Sequence, residues 1–125
     1  MAKIIRFEDL QCCQKARQLA NLIYDVTTRV EFAKDFRLCS QVRDAAGSVI
    51  RNFAEGFDAG TNTEFIQFLK IAQRSASEVR SQLYLALDRH YVHEAELASA
   101  YTLATETKRL INGPITYLRK PRSTT

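Results

Sequence analysis

Apolar residues recur at three- and four-residue intervals along four stretches of the chain, the period of helices that bury one face. The first stretch runs from about residue 9 to 30, with Leu10, Cys13, Ala16, Leu19, Ala20, Ile23, Val26 and Val30 on its apolar stripe and Gln14, Lys15, Gln18 and Asp25 opposite. A second helix is predicted over about 35–57, with Asp35 as N-cap and Val42, Ala45, Ala46, Val49, Phe53 and Phe57 inward. Gly47 lies inside it, and an interior glycine costs on the order of 1 kcal/mol relative to alanine, which predicts close approach of another helix as compensation. Gly60 is the expected stop.

Thr61-Asn62-Thr63-Glu64 reads as a capping box, in which the threonine hydroxyl and the glutamate carboxylate each satisfy an orphan backbone amide. It opens a third helix over about 62–89, with Phe65, Phe68, Leu69, Ala72, Ala76, Val79, Leu83, Ala86 and Leu87 facing the core. Ile66, Ile71, Tyr84 and Leu85 fall off that stripe, so this helix is expected to be central or to meet another subunit. The fourth, about 94–119, carries Leu97, Tyr101, Ala104, Ile111, Ile115 and Leu118, with Glu96 as its acidic N3 residue and Val92 stapling against Leu97. Gly113-Pro114 predicts a kink, because proline removes an amide donor and crowds the preceding turn. Residues 120–125 read as a frayed polar tail. Nothing alternates with period two over a useful length. The pattern specifies an all-α, up-down-up-down antiparallel four-helix bundle in a single domain spanning 1–125.

Composition narrows the class. The 125 residues are 46% hydrophobic and 26% charged with only four glycines and two prolines, so a core forms without staples. The odd count of cysteines, Cys12, Cys13 and Cys39, suits neither a disulfide framework nor a paired zinc site, and they are expected to be reduced packing residues. No apolar run approaches a membrane span, and the N-terminal residues lack a signal-peptide apolar region; the expectation is a cytoplasmic protein without membrane contact. Eighteen Lys and Arg against fourteen Asp and Glu give a net charge of +4, a mild bias toward anionic partners.

A set of residues spread over most of the chain carries a family resemblance. It begins with Phe7-Glu8-Asp9-Leu10 and Gln14-Lys15-Ala16, and continues through Gln41-Val42-Arg43-Asp44-Ala45-Ala46 and Asn52-Phe53-Ala54-Glu55-Gly56-Phe57. Glu64-Phe65, Phe68-Leu69, Ile71-Ala72, Ser75, Glu78, Gln82-Leu83, Ala86-Leu87, Tyr91 and Leu110-Ile111-Asn112-Gly113 complete it. In these the chain resembles the bacterial four-helix bundle family named after proteins encoded in intervening sequences of 23S ribosomal RNA genes, which is similar to the accessory proteins of diversity-generating retroelements. It departs from the family pattern at Cys13, where tryptophan is usual, at Ile50, where proline is usual, and at Arg74, where glycine is common. The resemblance implies a homopentameric ring and no enzymatic activity.

Among polar residues of that pattern, Arg43, Asn52, Glu55, Glu78 and Gln82 lie beside core positions, where unpaired groups would cost several kcal/mol, and are expected to form a structural hydrogen-bond network. Glu55 and Glu78 as an acid–base or metal pair is the sharper alternative, weakened by the lack of a Glu-x-x-His motif. His90 and His93 have ligand-like spacing but fall at a predicted helix break, and Ser48, Ser75, Ser77 and Ser81 have no histidine in their own helices. No catalytic, metal or cofactor residue is therefore named. The basic residues are the stronger lead: Arg43 with Arg51, Lys70 with Arg74, Lys108 with Arg109, and Arg119, Lys120 and Arg122 at the end. A pentamer would raise the charge to about +20 and repeat each patch around an axis, a surface suited to RNA or DNA phosphates. The expected function is that of a nucleic-acid-binding accessory or scaffold protein. The rival is a protein-interaction module that partners a polymerase or ribosomal components.

Overall fold

A computed structural model describes residues 10–120, which form five helices, turns and no strand. They are α1 (Gln11–Thr27), α2 (Val30–Lys34), α3 (Phe36–Phe57), α4 (Asn62–Asp88) and α5 (Glu94–Arg119). The predicted start at residue 9 and the tail residues 121–125, with Arg122, lie outside the described residues. The four long helices pack as a closed ring of neighbours, α3 on α4, α4 on α5, α5 on α1 and α1 on α3, giving the expected up-down-up-down bundle. α4 thus has two main neighbours like the others and is not central. Of its off-stripe residues Ile66 joins the core edge, Ile71 is half-buried, and Tyr84 and Leu85 remain exposed.

The interior divides into two clusters along the bundle axis. One gathers Leu19, Ile23, Val26, Phe32, Leu38, Val42, Val79, Leu83 and Val92 with small residues of α5, the other Leu10, Cys12, Cys13, Val49, Phe53, Leu69, Ile111 and Ile115. Every long helix contributes to both. Cys12 is deeply packed, and burial, followed by its neighbour Cys13, pushes its thiol up to about 12, which makes it an unreactive core filler.

The first predicted helix breaks at Thr28-Arg29 instead of running to Val30. Thr27 Oγ1 donates to the Ile23 carbonyl at 2.7 Å and Thr28 Oγ1 to the Asp25 carbonyl at 2.7 Å, so two consecutive hydroxyls draw carbonyls of the last turn. Val30 turns outward at 69% exposure, and the short α2 instead buries Phe32. Asp35 caps α3 as expected, its Oδ1 accepting from the Leu38 amide at 3.2 Å. Its Oδ2 accepts from the Tyr91 hydroxyl at 3.0 Å, and the Tyr91 ring stacks on Phe32 at 5.0 Å.

The close helix approach expected at Gly47 occurs at Gly56 instead. A Cβ at Gly47 would meet no other helix, only Arg51 Nη1 at 2.8 Å, where that side chain folds back onto Asp44. Gly56 is the close-approach site, because a Cβ there would lie 2.7 Å from the Phe65 ring of α4. Gly47→Ala should therefore stabilise by about 0.5 kcal/mol, since the helix-propensity gain exceeds the loss of an exposed ion pair. Gly56→Ala should destabilise by about 1–2 kcal/mol by overpacking. Urea melts of both variants check the contrast, and equal shifts would contradict it.

Gly60 does not adopt positive φ; α3 ends at Phe57 and turns through Asp58. Thr61 caps α4 by accepting from the Glu64 amide at 3.1 Å, but its hydroxyl also donates to Glu64 Oε1 at 3.2 Å, so the carboxylate engages the hydroxyl in place of the Thr61 amide. α4 closes on His90, the positive-φ residue among those described, with the His90 amide donating to the Leu87 carbonyl and the Tyr91 amide to that of Ala86. That is a Schellman stop with histidine where glycine is usual. α5 begins with the His93 amide donating to Glu96 Oε1 at 2.9 Å, and Val92 and Leu97 join one cluster as the staple requires. Pro114 deprives the Leu110 carbonyl of its helical donor, yet α5 is not divided there and continues to Arg119.

Arg29, in the break after α1, forms a two-pronged pair with Glu96, Nη1 reaching Oε1 at 2.7 Å and Nη2 reaching Oε2. This hydrogen-bonded guanidinium holds the Glu96 carboxyl down at about 2, against an ordinary value of 4.5. A depressed acid stabilises the fold above its unfolded pKa, and that contribution is lost as pH falls from about 4.5 through 2. Both side chains keep solvent contact, so Arg29→Ala should cost about 1 kcal/mol at neutral pH. Denaturation at several pH values should show the variant's loss disappearing in that acid window; a loss that persists at pH 2 would contradict the pair's role.

Candidate nucleic-acid interface

The closed order of helices sets where each basic residue can act, because the α1–α3 side of the ring is opposite the α4–α5 side. Arg43 and Arg51 belong to the first side and are occupied there. Arg43 Nε donates to the buried Thr27 Oγ1 at 2.7 Å and its guanidinium lies 4.8 Å from the Tyr24 ring centre, while Arg51 pairs with Asp44 at 3.0 Å. They line a groove of about 430 Å³ with Tyr24, Phe36, Cys39 and Ser40.

On the opposite side the ridge spacing of α4 places Lys70, Arg74 and Ser77 on one face. Packing of α4 on α5 brings Lys108 beside them, and the four line a groove of about 380 Å³ with Gln73. Gln73 fixes the helix pair by donating to the Lys108 carbonyl at 3.0 Å and to Asn112 Oδ1 at 2.9 Å. Among the described residues Lys70, Arg74 and Lys108 have no ion-pair partner, unlike Lys15, which meets Glu106 at 3.5 Å on the α1 side of α5. Arg109 is exposed about 100° further around α5, and Arg119 and Lys120 stand at its exposed end, outside this groove. Of the eight candidate cations among the described residues, three thus converge.

The expected polar network separates into unconnected parts. Asn52 donates to Ser48 Oγ at 3.0 Å, and Ser48 meets the buried Ser75 Oγ at 2.9 Å across α3 and α4. Gln82 donates to Glu78 Oε1 at 3.3 Å, its own Oε1 remaining buried without a partner, and Glu55 is exposed and takes no part. Arg43 belongs to the Thr27 contact on the other side. The parts therefore act locally, Ser48–Ser75 fastening α3 to α4, Arg43–Thr27 fastening α3 to α1 and Gln82–Glu78 staying within α4. His90 and His93 are exposed on either side of Tyr91 and Val92, which pack inward, and no group of three or more His, Cys, Asp or Glu among the described residues could hold a metal ion.

Sequence reasoning missed one neighbour of the groove. Arg80 Nη2 lies 3.5 Å from Ser77 Oγ, its Nη1 donates to Thr105 Oγ1 at 3.2 Å, and its guanidinium covers Tyr101 at 5.1 Å. Tyr101, expected in the core, is 38% exposed and meets the 50% exposed Tyr84 edge to face at 6.3 Å. Continuing the Lys70, Arg74, Ser77 face along α4 would have reached Tyr84.

Comparison with known proteins gives two findings. A family model described as 23S rRNA-intervening sequence protein matches residues 8–113. A similar solved structure is that of a protein of unknown function from the S23 ribosomal protein family of Bacteroides thetaiotaomicron, with a TM-score of 0.74 and 24% identity over 83% of this chain and 97% of that one. That likeness establishes the bundle fold. No curated protein matches the chain. No helix among the described residues is long and apolar enough to cross a membrane.

Proposed function

The chain belongs to the 23S rRNA-intervening sequence protein family, and on that premise we propose that it is a non-enzymatic accessory or scaffold protein that self-associates and holds RNA or DNA by phosphate contacts in the α4–α5 groove. The observation that carries this reading is the convergence of Lys70, Arg74 and Lys108 on one groove without acidic partners among the described residues. Cations already paired gain little from a phosphate, whereas uncompensated ones release counterions when they neutralise it. Self-association into a ring of five follows the family resemblance. It is supported by Val30 and Phe36, apolar and 69% and 81% exposed on the α1–α3 side.

Binding should weaken linearly in log–log salt plots, by a slope of about 0.9 per phosphate neutralised on duplex DNA. The triple variant Lys70→Glu, Arg74→Glu, Lys108→Glu should lower affinity at least about 100-fold at low salt and reduce the slope by about 2–3. Arg51→Glu, already engaged with Asp44, is the control and should change it by less than threefold. Absent binding at low salt, or equal losses in both variants, would reject the reading. The exposure of Val30 and Phe36 also supports a second reading, docking of a different protein such as a polymerase or ribosomal component. A native mass of one copy, with a co-purifying protein retained after nuclease treatment, would favour that reading.

A further inference from the structure

The α4–α5 face is more than a set of charges. From Lys70 through Arg74, Ser77 and Arg80 it runs into two exposed tyrosines, Tyr84 and Tyr101, a stripe of about 21 Å at the helical rise of 1.5 Å per residue. We infer that this face is a site for single-stranded nucleic acid, with Lys70, Arg74 and Lys108 following the backbone and the Tyr84–Arg80–Tyr101 cluster stacking an unpaired base. The inference rests on the phosphate-binding reading above and names the ligand class for the same groove.

Three observations point to a single strand over a duplex. Half-exposed tyrosines keep π-surface in water, where a protein interior would ordinarily claim it, and they lie on the side of the bundle that holds the unpaired cations. Their arrangement is built: Arg80 is held by Thr105 over one face of Tyr101, while Tyr84 meets that ring edge-on and keeps its own surface open to solvent. The cationic groove also runs directly into the aromatic cluster, so phosphates and an unpaired base of one strand can be held at once. A paired base hides its faces in the helical stack and offers nothing to the tyrosines. Stacking tolerates any base, so the site should discriminate strandedness and not sequence.

The experiment compares the full chain with Tyr84→Ala/Tyr101→Ala and with the triple Lys70→Glu, Arg74→Glu, Lys108→Glu, measuring anisotropy of labelled oligonucleotides of equal length in single- and double-stranded form, together with native mass. The expected result is at least tenfold tighter binding of single strands by the full chain. The tyrosine variant should lose most of that preference while keeping duplex affinity and subunit number, and the triple variant should lose both ligands. Equal affinity for both forms, or a tyrosine variant that keeps the preference, overturns the single-strand site and leaves phosphate binding standing. A tyrosine variant of altered native mass assigns the two rings to a subunit contact and also overturns it. No binding of either form at low salt removes the phosphate reading itself. Tyr84→Phe/Tyr101→Phe should restore the preference if stacking is the cause, and a failure to restore it counts against stacking.

Discussion

Phe32→Ala should destabilise the protein by about 3–5 kcal/mol, the range for truncating a fully buried aromatic side chain. Phe32 is 1% exposed, sits among Leu38, Val42 and Val92, and carries the Tyr91 ring on its face at 5.0 Å. The substitution opens a cavity that α2, five residues long, cannot collapse without dragging the Asp35 cap with it. It also removes a stacked pair worth about 0.5–1.5 kcal/mol beyond its area. Against a total stability of about 5–15 kcal/mol, that loss is a large fraction. Thermal unfolding should drop by about 10–20 °C. A loss below 1 kcal/mol would mean that α2 is not docked on the bundle as described. Phe32→Leu keeps most of the volume, so it should lose less than half as much.

The second large effect is expected at Asp35, whose two carboxylate oxygens do different work. Oδ1 caps α3 through the Leu38 amide, and Oδ2 receives the Tyr91 hydroxyl from the turn between α4 and α5. Asp35→Ala removes a cap worth about 1 kcal/mol and a charge-assisted hydrogen bond of similar or larger size, for a sum of about 2–3 kcal/mol. Asp35→Asn retains an oxygen for the cap and should lose less. Tyr91→Phe should lose about 1 kcal/mol, and the double variant Asp35→Ala/Tyr91→Phe should lose less than the sum of the singles, because they share one contact. Strict additivity in that cycle would show that the hydroxyl and carboxylate do not interact in solution.

Periodicity alone located the four long helices, and the stripe residues are buried or half-buried as expected, Val30 and Tyr101 excepted. It failed where side chains compete with the backbone or where tertiary contact decides. Val26 and Val30 share a helical interval, but the hydroxyls of Thr27 and Thr28 end the helix between them, and no count of apolar positions registers that competition. Gly47 and Gly56 look alike in a sequence. Only the placement of the Phe65 ring and the Arg51 guanidinium tells which glycine needs its missing Cβ. Tyr101 lies at the margin of the α5 stripe, where a small rotation of the helix decides between core and surface.

The candidate site was legible in part. Lys70 and Arg74 share a face by spacing, which follows from helical geometry. That Lys108 completes their groove depends on which helices are neighbours, and that Arg43 and Arg51 are engaged depends on Thr27, Tyr24 and Asp44. Spacing therefore paired the cations within a helix but could not tell that the fold sends the Arg43–Arg51 pair and the Lys70–Arg74 pair to opposite sides.

The two stacked core clusters also bear on how the chain can be divided. Since each of the four long helices supplies side chains to both clusters, removing any one helix opens both at once, and no fragment inherits an intact interior. Cleavage in the turn between α3 and α4 would leave two hairpins, each with exposed apolar faces. Such halves would be expected to regain structure by complementation with each other and not by refolding alone.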